Sequence, residues 1–81
     1  MDLRENKEYM LFVKALLSLK TEEECHAFLD DVMTKREILD ISQRMMVAKL
    51  LSEQTIYTKI VEETGASTAT ISRVNRCYLY G

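Results

Sequence analysis

A cluster of hydroxyl and guanidinium groups near the end of the chain has the composition of a surface that binds nucleic acid. Ser67, Thr68 and Thr70 stand in one run with Arg73 and Arg76, and the run contains no acidic residue. Hydroxyl groups hydrogen-bond base edges directly or through water, and arginine is long enough to reach a phosphate oxygen. The chemistry that these residue types indicate is therefore hydrogen bonding to DNA.

A glycine divides this part of the chain into two short helical segments. Gly65 follows the first segment, where a residue past a helix end often needs positive φ, which glycine adopts at little cost. Ser67 is placed to cap the second segment. Ile60, Ile71 and Val74 have the spacing of residues that face inward. The pattern predicts a helix-turn-helix whose second helix enters the major groove of DNA.

Position and residue type together define a candidate interface. Small side chains at the amino end of the second helix allow close approach to bases, hydroxyl groups hydrogen-bond them, and basic side chains reach phosphates. The predicted DNA-binding residues are Lys59, Ala66, Ser67, Thr68, Thr70, Arg73 and Arg76. The alternative is a helical protein-interaction module that has kept the hairpin without DNA binding, in which these are capping and surface residues.

The charge distribution fits such an interface better than the total charge does. The formal net charge is −2, which by itself argues weakly against nucleic acid. Residues 1–40 are predominantly acidic, whereas residues 41–81 carry five basic and three acidic side chains, a sum of +2. A local basic surface on an acidic protein is compatible with phosphate binding.

Other chemistries find little support. Cys25, His26 and Cys77 are too few and too loosely spaced for a zinc site, so we expect no metal. Cys25 and His26 are adjacent on a predicted helix, where neighbouring side chains do not face each other, so they do not form a nucleophile–base pair. The sequence also contains no carboxylate pair or phosphate loop, so we expect no enzyme. The longest apolar run, residues 9–13, is too short to span a membrane. We expect reduced thiols in a cytoplasmic protein, associated with the bacterial nucleoid when bound.

The elements that must position the hairpin are predicted to be helices. The chain has 81 residues, no proline and two glycines, too few turn formers for a sheet architecture. Thr21-x-x-Glu24 and Thr34-x-x-Glu37 are capping-box patterns that mark two helix starts. The predicted fold is all-α, a single domain over residues 1–81 with five or so helices and a C-terminal helix-turn-helix. The first predicted helix runs from residue 2 or 3 to about 19. The second opens at Thr21 and ends near residue 33, and the third opens at Thr34 and ends near residue 52. The fourth runs from about residue 56 to 64, before the turn.

The first and third helices carry more apolar surface than one face. In the first helix, Leu11 and Leu19 fall outside the stripe that contains Phe12. In the third, a stripe of Ile38, Ile41, Met45, Ala48 and Leu51 is flanked by further apolar residues. So small a chain cannot cover these helices alone, so we expect a second copy to do so. Residues 1–53 would be dimerisation helices and 55–79 the helix-turn-helix; a compact monomer is the alternative.

The stretch from Thr34 to Arg73 resembles the tryptophan repressor superfamily, and within it the repressor-related YerC/YecD-like group. Its most specific parts are the Gly65-Ala66 turn, the run ATISR at residues 69–73, and a long helix centred on Arg44. The resemblance implies an intertwined all-α homodimer with two helix-turn-helix units that bind double-stranded DNA. It also implies a transcriptional regulator whose base contacts are largely water-mediated.

The resemblance further implies a candidate ligand site. Arg44 and Arg73 look like the two arginines between which the repressor holds tryptophan. The repressor has a glycine beside the second arginine, and here Val74 stands in that place and would crowd an indole. We therefore expect no cofactor, with tryptophan or another small corepressor as the alternative. Arg44 has a second explanation as a member of a surface or interhelical ion pair.

Overall fold

A computed structural model describes the backbone of residues 2–80 and the side chains of residues 2–78, and it is helical throughout. A 3-10 helix at Leu3–Glu5 precedes five α-helices: α1 (Lys7–Ser18), α2 (Glu22–Val32), α3 (Lys35–Ser52), α4 (Tyr57–Thr64) and α5 (Thr68–Tyr80). The prediction of an all-α chain with about five helices is confirmed. Among these described helices, none combines the length and apolar character that a membrane crossing demands.

The chain divides into two compact units, Met1–Met33 and Thr34–Gly81. In the first unit the predicted continuous helix is wrong, because Asn6 interrupts it with extended backbone (φ −86°, ψ 121°). The Asn6 side chain accepts a hydrogen bond from the Tyr9 amide at 2.9 Å and so caps α1. Asparagine favours such caps over helix interiors because its side chain competes for backbone groups.

Neither helix of this first unit contains a buried residue. Phe12 and Phe28 stack with their ring centroids 6.1 Å apart, beside an apolar groove of about 330 Å³. Leu11 and Leu17 are 70% and 80% exposed. Val32 on α2 extends the apolar surface and is 55% exposed. The apolar surface predicted for the first helix is thus exposed within this unit.

The two capping boxes differ in how completely they form. The Thr34 hydroxyl accepts from the Glu37 amide at 3.1 Å, and the Glu37 carboxylate accepts from the Thr34 amide at 2.8 Å, so both arms are present. Thr21 likewise caps the Glu24 amide, but the Glu24 carboxylate accepts from the Lys20 amide at 2.8 Å instead. The predicted starts of α2 and α3 are confirmed, and only the second arm of the Thr21 box differs.

The Glu37 cap predicts a pH-dependent contribution to stability. The backbone amide and hydroxyl of Thr34 hold the pKa of Glu37 below its usual value. A lowered folded-state pKa stabilises the fold above the unfolded-state pKa, and this contribution is lost as pH falls through the folded-state value. Glu37→Gln should therefore destabilise the protein most at neutral pH. The difference from wild type should shrink below about pH 5, which urea unfolding at several pH values would measure. Glu62→Gln, outside any cap, controls for the lost charge, and a pH-independent difference for Glu37→Gln would contradict the assignment.

The second unit contains every buried residue of the described side chains. Its core consists of five residues from α3, α4, α5 and the turn between the last two: Val47, Leu50, Ile60, Ala66 and Ile71. Within α3, Ile41 and Met45 of the predicted apolar stripe are 44% and 67% exposed in the single chain, and their burial by a second copy stays a prediction. Because α3 is apolar on several sides, helical periodicity alone does not show which side packs within its own chain.

The end of α3 is fixed by a Schellman motif. The Thr55 amide donates to Leu50 O and the Gln54 amide donates to Leu51 O, both at 3.0 Å. Gln54 adopts φ +60°, the left-handed conformation that this motif requires and that glycine usually supplies. The motif turns the chain into α4 after a connection of only four residues, 53–56.

Candidate nucleic-acid interface

The turn between α4 and α5 depends on the backbone freedom of Gly65. Gly65 has φ +72° and ψ 4°, and its amide donates to Val61 O at 2.9 Å, which ends α4. A Cβ built at this glycine would meet no atom within 4 Å. Glycine is therefore required for its positive φ and not because a neighbour approaches closely.

Gly65 and Gln54 give opposite predictions, because both have left-handed backbone and only one is glycine. Gly65→Ala should lower the free energy of unfolding by about 1 kcal/mol, since alanine is strained at positive φ. Gln54→Gly should raise the free energy of unfolding by about 0.5–1 kcal/mol. Glycine relieves the strain of positive φ, and this gain exceeds the greater conformational entropy that glycine loses on folding. Urea unfolding of both variants at one protein concentration would measure the pair. A destabilised Gln54→Gly variant would contradict the left-handed assignment.

A threonine hydroxyl holds the turn from inside. The Thr64 hydroxyl donates to Ile60 O at 2.7 Å and accepts from the Ala66 amide at 3.1 Å. The Ser67 hydroxyl then caps α5 by accepting from the Thr70 amide at 3.1 Å. The amides of Gly65, Ala66 and Thr70 are thus bonded within the chain and hold the turn in place.

The predicted hydroxyl set is only partly free to meet a partner. The Ser67 hydroxyl donates to the Thr70 hydroxyl oxygen at 3.1 Å, so these two groups are bonded to each other. Ser67 and Thr68 are exposed, whereas Thr70 is half-buried. The Ser67–Thr70 pair keeps unused lone pairs and one hydroxyl hydrogen, which is the chemistry that base edges accept.

Ala66 is the one predicted interface residue that the structure turns inward. Its side chain is 2% exposed and belongs to the core with Ile60 and Ile71. The prediction that its small side chain faces DNA is wrong, because the turn folds this position under α5. Ala69, three residues later, is exposed and supplies the small side chain on the outward side. Ala69 lies two positions before the buried Ile71 on α5, a spacing that places the two side chains on different sides of the helix.

The outward side of the hairpin is basic and unpaired. Lys59, Arg73 and Arg76 are exposed. Within the described side chains of residues 2–78, ion pairs involve Arg4, His26 and Arg36, and none involves the three basic residues of the hairpin. Unpaired guanidinium and ammonium groups are available to phosphate oxygens.

The two arginines of the candidate ligand site line one groove. Arg44 from α3 and Arg73 from α5 border a groove of about 370 Å³ with mainly apolar walls. Arg44 forms no ion pair with the side chains that the structure describes, so that explanation of Arg44 is not supported. Val74 lines the same groove and also packs against the core. Guanidinium groups beside apolar walls are the residue types that a small anionic group on an apolar body would require, and the corepressor alternative stays a prediction.

The described residues give no support to metal chemistry. No group of three metal-ligating side chains occurs among them. Cys25 is half-buried and Cys77 is exposed, and both are free thiols. His26 approaches Glu22 at 3.2 Å one helical turn away on α2. This pair is accounted for as a surface contact.

Two polar residues matter to this hairpin and were not selected from the sequence. The Gln43 amide on α3 donates to Thr64 O at 3.1 Å, and the Asn75 amide on α5 donates to the Tyr57 hydroxyl at 3.2 Å. No local spacing could have revealed either bond, because the partners lie 21 and 18 residues apart.

The fold and this hairpin are those of a known class of regulators. The chain matches the family described as Trp repressor protein over residues 7–81. It therefore belongs to the Trp repressor family, whose members are DNA-binding regulatory proteins and not enzymes. The family resemblance predicted from the sequence is confirmed.

Individual relatives of this chain indicate which group of the family it resembles. YerC of Bacillus subtilis (strain 168), itself uncharacterized, is 51% identical over 80 residues, which cover 99% of this chain and 77% of YerC. A TrpR-like protein from Eubacterium eligens ATCC 27750 superposes with a TM-score of 0.93 at 48% identity, covering 100% of this chain and 84% of that one. A candidate Trp repressor from Staphylococcus aureus gives 0.91 at 41% identity, covering 100% and 83%. The YerC-like grouping is confirmed.

Proposed function

We propose that this protein is a homodimeric transcriptional regulator that binds specific DNA sequences through the α4–turn–α5 hairpin. The observation that carries the proposal is the two-sided character of the hairpin. Its underside is buried through Ile60, Ala66 and Ile71. Its outward side combines exposed hydroxyl groups with basic side chains that have no described ion-pair partner. Membership of a DNA-binding family supports the same reading.

The dimer is proposed from the apolar surface that a single chain leaves exposed. No residue of α1 or α2 is buried, and Leu11 and Leu17 are among the most exposed apolar side chains. On α3, Leu39 and Met45 are 53% and 67% exposed. Extended apolar surface of this kind usually marks an interface in a water-soluble protein. We infer that residues 1–81 act as one domain. Residues 1–53 supply the dimer contacts, and residues 55–79 form the helix-turn-helix that binds DNA.

In this proposal each subunit presents α5 to DNA. Two recognition helices enter successive major grooves about 34 Å apart, so the target is near-palindromic. Lys59, Arg73 and Arg76 contact phosphates and supply most of the affinity, while the hydroxyls of Ser67 and Thr70 contact bases directly or through water. The regulator acts on DNA in the cytoplasm, without metal or cofactor.

Selection of bound sequences from a random duplex pool, followed by a salt titration, tests the proposal. The expected result is a near-palindromic sequence whose affinity falls steeply with salt and exceeds that of random duplex at every salt concentration. Sedimentation at micromolar concentration should give a dimer. Addition of L-tryptophan should leave the affinity unchanged. Binding that is insensitive to salt, or equal for selected and random duplexes, would refute sequence-specific recognition.

The net charge of −2 favours one alternative, a helical protein-interaction module. Two exposed glutamates on α4, Glu62 and Glu63, lie close in sequence to Lys59 and weaken its attraction for phosphate. An interaction module would sediment as a dimer and bind no duplex even at low salt. Duplex binding at low salt therefore separates the two alternatives, whereas both predict a dimer in sedimentation.

A further inference from the structure

The side-chain hydrogen bonds that join distant parts of the second unit both end on α4. Among described side chains, only two such bonds link residues more than four positions apart. One involves Thr64, the last residue of α4, and the other involves Tyr57, the first. Both bonds are partly buried, where a hydrogen bond is stronger and its loss more costly than at the surface.

At the carboxyl end of α4, Gln43 bonds the backbone next to the turn. Its Nε2 donates to Thr64 O at 3.1 Å. The last carbonyls of a helix have no partner within the helix, so this side chain satisfies one that would otherwise be open. A carbonyl can only accept, so the amide nitrogen of Gln43 must be the atom that faces it. The bond ties the residue before Gly65 directly to α3.

At the amino end of α4, Asn75 bonds the side chain of Tyr57. Asn75 lies one helical turn beyond the buried Ile71 on α5, and its Nδ2 donates to the Tyr57 hydroxyl at 3.2 Å. The Tyr57 ring packs against the core. Ile56, which precedes it, is 69% exposed and provides no side-chain cap. The Tyr57–Asn75 bond is therefore the polar contact that fixes this end of α4.

We propose that Gln43 and the Tyr57–Asn75 pair are positioning residues for DNA recognition, because the first fixes α4 against α3 and the second fixes α5 against α4. This inference rests on the proposed function. Apolar contacts hold the helices together but are not directional, whereas hydrogen bonds fix distance and direction. The eight residues of α4 span about 12 Å, so a rotation of about 10° moves one end by about 2 Å. A shift of this size breaks hydrogen bonds to bases, while long arginine side chains still follow the phosphates.

The test compares specific and non-specific affinity in variants that lose one atom or one bond. Tyr57→Phe removes only the hydroxyl, and Gln43→Met removes the amide at similar side-chain length. Tyr78→Phe, at a tyrosine on α5 that is 56% exposed, is the matched control. We expect the ratio of selected-palindrome to random-duplex affinity to fall roughly tenfold in the first two variants, the size of one lost base contact. Random-duplex affinity should change less than twofold, and the control should match wild type.

A purely structural role predicts a different pattern. Urea unfolding measured in parallel would then show lost stability, with both affinities reduced by the same factor and their ratio unchanged; that outcome overturns the proposal. A double-mutant cycle with Asn75→Leu isolates the pair: Tyr57→Phe with Asn75→Leu should lower the ratio no further than either change alone. Additive losses would show that Tyr57 and Asn75 act separately and would also overturn it.

One measurement without DNA separates this inference from the proposed function. Amide hydrogen exchange at residues 65–70 should accelerate in Gln43→Met and remain unchanged in Tyr78→Phe, because the Gln43 bond holds the turn. If wild type prefers its palindrome but the variants keep both that preference and slow exchange, only the positioning role fails. If wild type binds no duplex, the proposed function fails and the positioning role fails with it.

Discussion

Replacing Ile71 by alanine is expected to lower the free energy of unfolding by about 3 kcal/mol. Ile71 is completely buried, and its neighbours in the core come from α3, α4 and the turn. Removal of its branched side chain loses the transfer free energy of those atoms and leaves a cavity. Only five described residues are buried, so few others compensate. Small domains are stable by about 5–15 kcal/mol, so this loss is a large share of the total.

Urea unfolding at one fixed protein concentration would measure the Ile71→Ala effect, because the stability of the proposed dimer would depend on concentration. Ile56→Ala is the matched control, since it makes the same chemical change at a residue that is 69% exposed. We expect the control to change stability by no more than about 0.5 kcal/mol. Equal losses in the two variants would contradict the placement of Ile71 in the core. The same comparison tests whether α5 is held to the rest of the unit by its buried side.

Replacing Arg73 by alanine is expected to weaken binding to all duplexes and to reduce its salt dependence. Arg73 is exposed on α5 and forms no ion pair with the described side chains. Each phosphate contact contributes about 0.9 to the slope of log affinity against log salt, so two copies in a dimer contribute about 1.8. If the variant and wild type converge at about 1 M salt, this difference amounts to roughly 60-fold in affinity at 0.1 M.

Two further variants show whether the Arg73 effect belongs to phosphate binding. Arg36→Ala removes an arginine that is paired with Asp40 at 3.8 Å on α3, and it should leave the salt slope unchanged. Thr70→Ala should instead relax discrimination between selected and random duplexes while the slope stays near that of wild type. An Arg73→Ala slope equal to that of wild type would remove Arg73 from the interface.

Most helix boundaries were predicted from local signals, and the start of α1 after Asn6 was not. Thr21 and Thr34 mark the starts of α2 and α3 because a hydroxyl in that position bonds an amide only three residues away. Gly65 marks the turn because its positive φ is a property of that one residue. Asn6 could also have been identified as a cap, since it bonds the Tyr9 amide by the same local geometry. Each of these interactions is complete within a few residues of sequence.

The direction in which side chains point was harder to predict wherever apolar residues surround a helix. On α3, Val47 and Leu50 are buried while Ile41 and Met45 are exposed, although all four are apolar and helically spaced. Ala66 was assigned to the outward side by its size and sequence position, yet it lies in the core. A small apolar residue in a turn is compatible with either side until the packing of the neighbouring helices is known.

For the cluster of hydroxyl and guanidinium groups, too, some features follow from local sequence and others depend on tertiary packing. The sequence by itself determined the all-α class, the helix-turn-helix with Gly65 at its turn, the membership of the Trp repressor family, and the acid-free composition of the outward side of α5. These follow from short-range rules of capping, backbone preference and residue type. Only the tertiary structure decided that Ala66 faces inward, that Arg44 and Arg73 share a groove, and that Gln43 and Asn75 hold the two ends of α4. Those outcomes depend on contacts between distant residues, whose energies sum over packing that no local pattern encodes.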